Sequence, residues 1–314
     1  MNPKHLRTVA IAACLPYLSL KVAWLAGSTV GIPEGSPLRT AGTALKAVNG
    51  LTVLMDACVV VLALALTRPW GRRIPAWLLV LPMWTAVGLL THIAVGFPAQ
   101  LVLRLAGVTQ PQDRTGGEPF LDEWVFDVVY GGFIVQAVAL GALFVLYARA
   151  RWGHLWRGRI GDPGRGGVPW AAVAAAVLTV VPVTAHAVWA SGSGLGLPPE
   201  TARRYGPDAA VADGAFVLYA VAAAVGVGLW AARRRTGVVA VPVRVPLLLA
   251  GVGSAATACW GGWLLLAAAT APGRGDEAVT AAMLATYAVQ VLVGLLMLAA
   301  GARALSGRQR VGAA

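Results

Sequence analysis

The segment KVAWLAGSTVGIP, residues 21–33, returns later in the chain as HAVWASGSGLGLP, residues 186–198. The two segments share Trp, Gly, Ser, Gly and Pro at the same positions, without a gap. Each follows a long apolar run and contains the Gly and Pro residues that commonly end a helix and turn the chain. The match predicts that a membrane helix and the loop that ends it occur twice.

Shorter matches extend this similarity along the chain. Arg73-Ile-Pro75 and Arg244-Val-Pro246 each open an apolar segment. Gln136 and Gln290 each precede an Ala-Arg-Ala triplet, at 148–150 and 302–304, by the same spacing. Together the matches predict a duplicated four-helix unit. The competing interpretation is chance similarity between helices that are rich in Gly, Ala and Val.

The composition predicts an all-α integral membrane protein. Hydrophobic residues make up 58% of the chain and charged residues 12%, whereas a soluble domain has roughly 25% charged residues. Apolar runs of about 20 residues can cross a bilayer, and they predict eight transmembrane helices at approximately 8–27, 47–67, 75–96, 122–148, 168–190, 209–232, 245–270 and 278–304. The first is interpreted as a permanent helix rather than a cleaved signal peptide.

These spans form two tandem repeats, residues 1–150 and 168–314, joined by a basic cytoplasmic linker at 151–167. Because four helices are an even number, both repeats enter the membrane in the same direction. Such parallel repeats predict a pseudo-twofold axis along the membrane normal.

The distribution of basic residues predicts the orientation of the chain. Its formal net charge is +12, and most Lys and Arg residues fall on one side of the predicted spans, which we assign to the cytoplasm. Both termini are then cytoplasmic, and the lipid bilayer rather than a nucleic acid is the expected partner. The strong preference for Arg over Lys is typical of a GC-rich bacterial genome, so the bacterial plasma membrane is the expected location.

Ionisable residues within the spans are the candidate site, because each is costly in a bilayer unless it has a partner or a use. Lys21 and Asp56 lie at similar predicted depth, with Asn49 on the same helical face as Asp56. We expect Lys21 and Asp56 to form an ion pair. The alternative is that the pair only joins two helices. His186 takes the position of Lys21 in the second repeat, where apolar residues replace Asp56, and this asymmetry favours a single site between the repeats.

Other polar and aromatic residues complete the candidate set for a substrate or an ion. Trp24 and Trp189 accompany Lys21 and His186, and Asp213 is a further acid within a span. Asp127 shares a helix face with Glu123 and Tyr130, which indicates either favourable acids at a helix N-terminus or a cation vestibule. His92 and His186 at matching depth make haem a weak alternative. The cysteines lack metal-ligand spacing, so no metal site is predicted.

Three functions remain open from the sequence. The first is a permease for a small solute or an ion, with an outward-facing polar site. The second is a membrane-embedded enzyme or redox protein that acts on a lipid, a quinone or another hydrophobic intermediate. The third is a non-catalytic scaffold or accessory subunit of a membrane protein partner. No motif of soluble enzymes is found, so whether the chain is an enzyme stays open, and no catalytic residue is assigned.

Overall fold

The computed structural model describes residues 2–39, 42–108, 121–153, 170–232, 241–270, 273 and 275–311. Most of the expected linker at 151–167 lies outside these residues. The described helices are α1 Pro3–Leu25, α2 Gly42–Ala65, α3 Ala76–Leu105, α4 Glu123–Trp152, α5 Trp170–Leu178, α6 Val180–Ala190, α7 Pro199–Arg203, α8 Pro207–Ala232, α9 Arg244–Thr270 and α10 Ala281–Val311.

Eight segments of the described chain are long and apolar enough to cross a membrane, judged by length and composition. They are Pro3–Leu25, Lys46–Ala65, Ala76–Leu105, Glu123–Trp152, Trp170–Ala190, Pro207–Trp230, Arg244–Thr270 and Gly275–Gly301. The predicted number of spans and the predicted all-helical membrane class are therefore confirmed. The chain is a multi-pass membrane protein.

Two of the differences from the predicted extents occur near a proline. The third span continues through Pro98 to Leu105 instead of ending near residue 96; proline is tolerated within membrane helices, where neighbouring groups can satisfy the freed backbone. The fifth span is interrupted at Thr179, between α5 and α6. Pro182 has no N–H to donate to the carbonyl four residues earlier, at Leu178, where α5 ends.

The chain divides into two compact units, Met1–Trp152 and Gly153–Ala314. In the first unit, α1 packs against α2 and α4, and α3 packs mainly against α4. One apolar core lies around Leu79, Met83 and Leu140. A second, aromatic-rich cluster surrounds Val125 and Val129. This second cluster lies beside the end of α1 and positions its polar residues.

In the second unit, α8 packs against α6 and α9, while α10 packs against α9 and α5. The backbones of α8 and α9 approach closely because glycine removes the side chain at their contact. A Cβ atom on Gly253 would lie 2.5 Å from the backbone nitrogen of Ala223, and one on Gly226 would lie 2.5 Å from that of Ala250. Small residues at helix contacts allow this approach within membranes.

Candidate functional site

The two matching segments of the sequence form the same local structure at the ends of α1 and α6. The indole of Trp24 donates to the carbonyl of Val30 at 2.7 Å, and the indole of Trp189 donates to that of Leu195 at 2.9 Å. The glycines after each helix, Gly27 and Gly192, have φ angles of 93° and 85°. Residues with a side chain rarely adopt this conformation, so the shared glycines have a direct structural reason.

Lys21 lies one turn before the end of α1, and its side chain is only 8% exposed. Its ammonium donates to Asn49 Oδ1 on α2 at 2.7 Å. It also lies 4.8 Å from the ring centre of Tyr17 and 5.0 Å from that of Trp24. These aromatic faces attract the cation, since each carries a negative quadrupole. The ammonium is thus held by one amide oxygen and two rings.

Asp56 is buried on α2, 4% exposed, two turns beyond Asn49. It interacts electrostatically with Lys21 and lies beside Gln136 of α4. The hydrogen bond of Lys21 therefore goes to Asn49 rather than to Asp56, which corrects the expected direct pair. We refer to Lys21, Asn49, Asp56, Tyr17 and Trp24 as the lysine cluster.

His186, 2% exposed, occupies the corresponding position on α6 and joins three helices. Its Nδ1 lies 2.6 Å from Asp213 Oδ1 on α8, and its Nε2 lies 2.9 Å from Gln290 Nε2 on α10. Because the amide nitrogen of Gln290 can only donate, Nε2 is the acceptor and Nδ1 carries the proton. The imidazole also stacks on Phe216 at 4.2 Å and meets the edge of Trp189 at 4.9 Å.

Tyr205, in the loop between α7 and α8, donates its hydroxyl proton to the second oxygen of Asp213 at 2.5 Å. Burial, followed by this bond to Asp213, raises the pKa of Tyr205 above its ordinary value, so the phenol stays protonated as the donor. Both carboxylate oxygens of Asp213 are therefore engaged. We refer to His186, Asp213, Gln290, Tyr205, Phe216 and Trp189 as the histidine cluster.

The observed asymmetry between the units differs from the one that the sequence predicted. His186 pairs directly with Asp213, an acid that was named from the sequence as a candidate without an assigned partner. Lys21 and Asn49 are 28 residues apart, and His186 and Asp213 are 27 apart. Asp213 is thus the counterpart of Asn49 rather than of Asp56. Among the described residues, His186 and the partly buried Asp213 are in direct contact, whereas the ammonium of Lys21 donates to Asn49.

A short exposed ion-pair network lies beside Tyr205. Glu200 contacts Arg203 and Arg204, and Arg203 also contacts Asp276 before α10. The hydrogen bond from Arg203, followed by the charges of both arginines, lowers the pKa of Glu200. This network ties α7 to the segment that enters α10, close to the polar end of the histidine cluster.

The remaining candidates lie elsewhere in the first unit. His92 is buried on α3, and Asp127 is exposed on α4. Tyr130, expected on the face of Asp127, stacks with Phe133 at 6.4 Å and meets Phe97 edge-on at 5.1 Å. Tyr205 and Phe216 were missed, since a lone loop tyrosine and an apolar phenylalanine give no distinctive signal in the sequence.

His, Cys, Asp and Glu side chains are the groups that could hold a metal ion or a haem. Within the described ranges, no group of three or more His, Cys, Asp and Glu side chains is arranged to hold a metal ion. Both ring nitrogens of His186 are engaged, one by Asp213 and one by Gln290.

Comparison of the chain with protein-family models, curated proteins and solved structures finds no match.

Proposed function

We propose that the protein is a permease for a small solute or an ion, with a polar site near the outer leaflet. The observation that carries the proposal is the burial of Lys21 together with Asp56 between apolar helices. An ionisable side chain in a membrane helix costs about 2.5–3.5 kcal/mol on insertion scales. Such residues are commonly retained because they lie on the path of a substrate or an ion.

The arrangement of the lysine cluster suits a site that exchanges partners. Lys21 is held by a neutral amide and two aromatic rings rather than locked in a direct ion pair. Asp56 balances its charge from further along α2. An entering anion can therefore compete for Lys21, and an entering cation can compete for Asp56, without first breaking a close ion pair.

We further propose that the two units arose by duplication. The matched indole-to-carbonyl bonds of Trp24 and Trp189 support this relation, as does the spacing of the two polar pairs. With four spans in each unit, both units enter the membrane in the same direction. The excess of basic residues on one side favours cytoplasmic termini in a bacterial plasma membrane. The pseudo-twofold axis stays a prediction.

Flux in proteoliposomes tests the permease. Solid-supported-membrane recording would apply concentration jumps of NaCl, KCl and small zwitterionic amino acids to the native protein and to Asp56→Asn. The control is Glu34→Gln, which makes the same acid-to-amide change at an exposed position of the first unit. We expect native flux to be lost in Asp56→Asn and kept in the control. Equal flux in Asp56→Asn would refute the site, and the lack of native flux with every probe would refute the permease.

A membrane-embedded enzyme is the second candidate, and the histidine cluster is the observation that favours it. A His–Asp pair with a tyrosine on the carboxylate can provide acid–base chemistry on a lipid or a quinone. The hydrogen bond between Nε2 and Gln290 opposes this use, since it occupies the nitrogen that would act as the base. Turnover of an added quinone or lipid that is lost in His186→Gln, without solute flux, would favour the enzyme.

A further inference from the structure

We propose that His186 is a proton-binding site and that Gln290 responds to the bound proton by reversing its side-chain amide. The proton is thereby a co-substrate of the permease. This coupling rests on the proposed function, whereas the proton site itself does not.

The geometry around Gln290 shows why the amide has two useful orientations. The side chain is fully buried, at 0% exposure, and its nitrogen donates to His186 Nε2. Among the described residues its Oε1 has no hydrogen-bond partner. A buried acceptor without a donor has lost its hydrogen bond to water without gaining another. The neutral cluster therefore contains one unsatisfied atom, on the same amide whose nitrogen donates to His186 Nε2.

Protonation removes this mismatch. A proton added to Nε2 turns that nitrogen from an acceptor into a donor, and the present orientation would then oppose two donors. Rotation of the amide of Gln290 brings Oε1 to Nε2, where it accepts a charge-assisted bond, roughly twice as strong as a neutral one. No covalent bond other than the new N–H is formed. Nδ1 keeps its proton and its bond to Asp213.

The residues around His186 provide partners for the protonated imidazole. Asp213 provides the counter-charge for the imidazolium, and Tyr205 holds the second carboxylate oxygen in place. Phe216 stacks flat on the ring, with an interplanar angle of 11°, and presents its face to the cation. The imidazolium therefore has a charge partner, an aromatic partner and a rotatable acceptor.

Gly261 on α9 lies against the side chain of Gln290. A Cβ atom on Gly261 would lie 3.0 Å from Gln290 Oε1 and 2.9 Å from the carbonyl oxygen of Tyr287. The amide of Gln290 thus lies against α9 at Gly261, and its reversal would change which amide atom faces that helix.

Few other titratable groups share this environment. On α6 itself, His186 is the single titratable side chain in the sequence Val180–Ala190, and α5 has none. The loop before α8 supplies Tyr205. The acids and tyrosines of α8 and of α10 within residues 281–301 are Asp208, Asp213, Tyr219 and Tyr287. Asp213 is the acid in contact with the ring, so its removal is the sharpest perturbation.

Nitrogen NMR of the full chain in lipid nanodiscs tests the proton site without any transport assay. The chain contains 4 His residues, so ¹⁵N-histidine labelling gives few signals, and His186→Gln assigns the one of interest. We expect a neutral imidazole with its proton on Nδ1 in alkaline buffer and an imidazolium in acidic buffer. An Nε2-protonated neutral ring, or no titration between about pH 5 and pH 9, would overturn the proposal.

Two substitutions test the roles of the partners. Gln290→Glu places a carboxyl group beside Nε2, so more imidazolium should be present than in the native protein at the same pH. Asp213→Asn removes the counter-charge, so less imidazolium should be present than in the native protein at the same pH. Asp276→Asn changes an acid that is 67% exposed, and the ¹⁵N titration of His186 should stay unchanged in this control. If neither Gln290→Glu nor Asp213→Asn changes the ¹⁵N titration of His186, the assigned partners are wrong.

The same preparations separate this proposal from the permease. Titration of His186 without any flux would remove the permease and the coupling while leaving the proton site. A different result is flux that depends on Asp56 but not on a pH gradient, while the ¹⁵N signal of His186 does not change with pH. That result would refute the proton site and leave the permease. Flux driven by a pH gradient and lost in His186→Gln is the expected result.

Discussion

Gly261→Ala should destabilise the second unit and disturb the histidine cluster, whereas the same change at the next residue should not. The added Cβ would lie 2.6 Å from Gln290 Cβ and 2.9 Å from the carbonyl oxygen of Tyr287. At Gly262 the Cβ would meet Val291 Cγ2 at 3.8 Å, an ordinary contact. Both glycines are within α9, so the two variants form a matched pair.

The expected size follows from two opposing effects. Replacing glycine by alanine within a helix gains up to about 1 kcal/mol from backbone propensity, and this gain is shared by both variants. Forcing an additional methyl group into a well-packed contact costs about 1–3 kcal/mol, and this cost falls on Gly261→Ala alone. The difference between the variants is therefore about 1–3 kcal/mol. For a unit of this size that corresponds to roughly 2–12 °C in melting temperature.

Thermal unfolding in the same detergent, followed by intrinsic fluorescence, measures this difference. The ¹⁵N signal of His186 should also change in Gly261→Ala, because Gln290 must move, and stay unchanged in Gly262→Ala. Equal melting temperatures with an unchanged His186 signal in both variants would refute the close packing of α9 against α10 at this position.

Three further outcomes follow from the contacts of the helix ends. Trp24→Phe and Trp189→Phe each remove an indole donor from a loop carbonyl. Each variant should lose about 1 kcal/mol of stability in thermal unfolding. A loss in one unit alone would argue against equivalent loops. Tyr205→Phe leaves one oxygen of Asp213 without its donor, and a loss of about 1–3 kcal/mol is expected by the same assay; no loss would contradict this bond. The pKa of Glu200 is lowered in the folded state, so its slight stabilisation is present above its unfolded pKa and is lost as the pH falls through the lowered value. The melting temperatures of the native protein and of Glu200→Gln should therefore converge in acid. A difference that grows in acid would contradict this ion pair.

The helices of the fold were predictable because bilayer thickness imposes a strong and simple signal. About 20 apolar residues are needed for each span, and the eight runs in the sequence satisfy this requirement. Helix ends were less predictable where proline occurs. Pro98 and Pro182 both lie within membrane spans. The helix continues through Pro98, whereas the span that contains Pro182 is broken at Thr179. The outcome depends on neighbouring packing that one helix does not encode.

Several of the named candidates lie in the two polar clusters, but their partners were not predicted. Asn49 and Asp56 are seven residues apart, about 10 Å along α2, so their shared face does not reveal which one Lys21 reaches. The His186–Asp213 pair had a signal that the sequence interpretation missed, because its spacing nearly repeats that of Lys21 and Asn49. The bond from Tyr205 had none, since the path of a short loop is set by tertiary contacts.

Flux through Lys21→Met/Asp56→Leu most directly tests whether the buried charges of the first unit serve permeation or only hold its helices together. Replacing a buried charged pair by apolar residues of similar size is often neutral or stabilising, by about 1–4 kcal/mol. We therefore expect the double variant to keep or raise its melting temperature and to lose the solute or ion flux of the native protein. Native flux in a folded double variant would contradict a role for Lys21 and Asp56 in permeation.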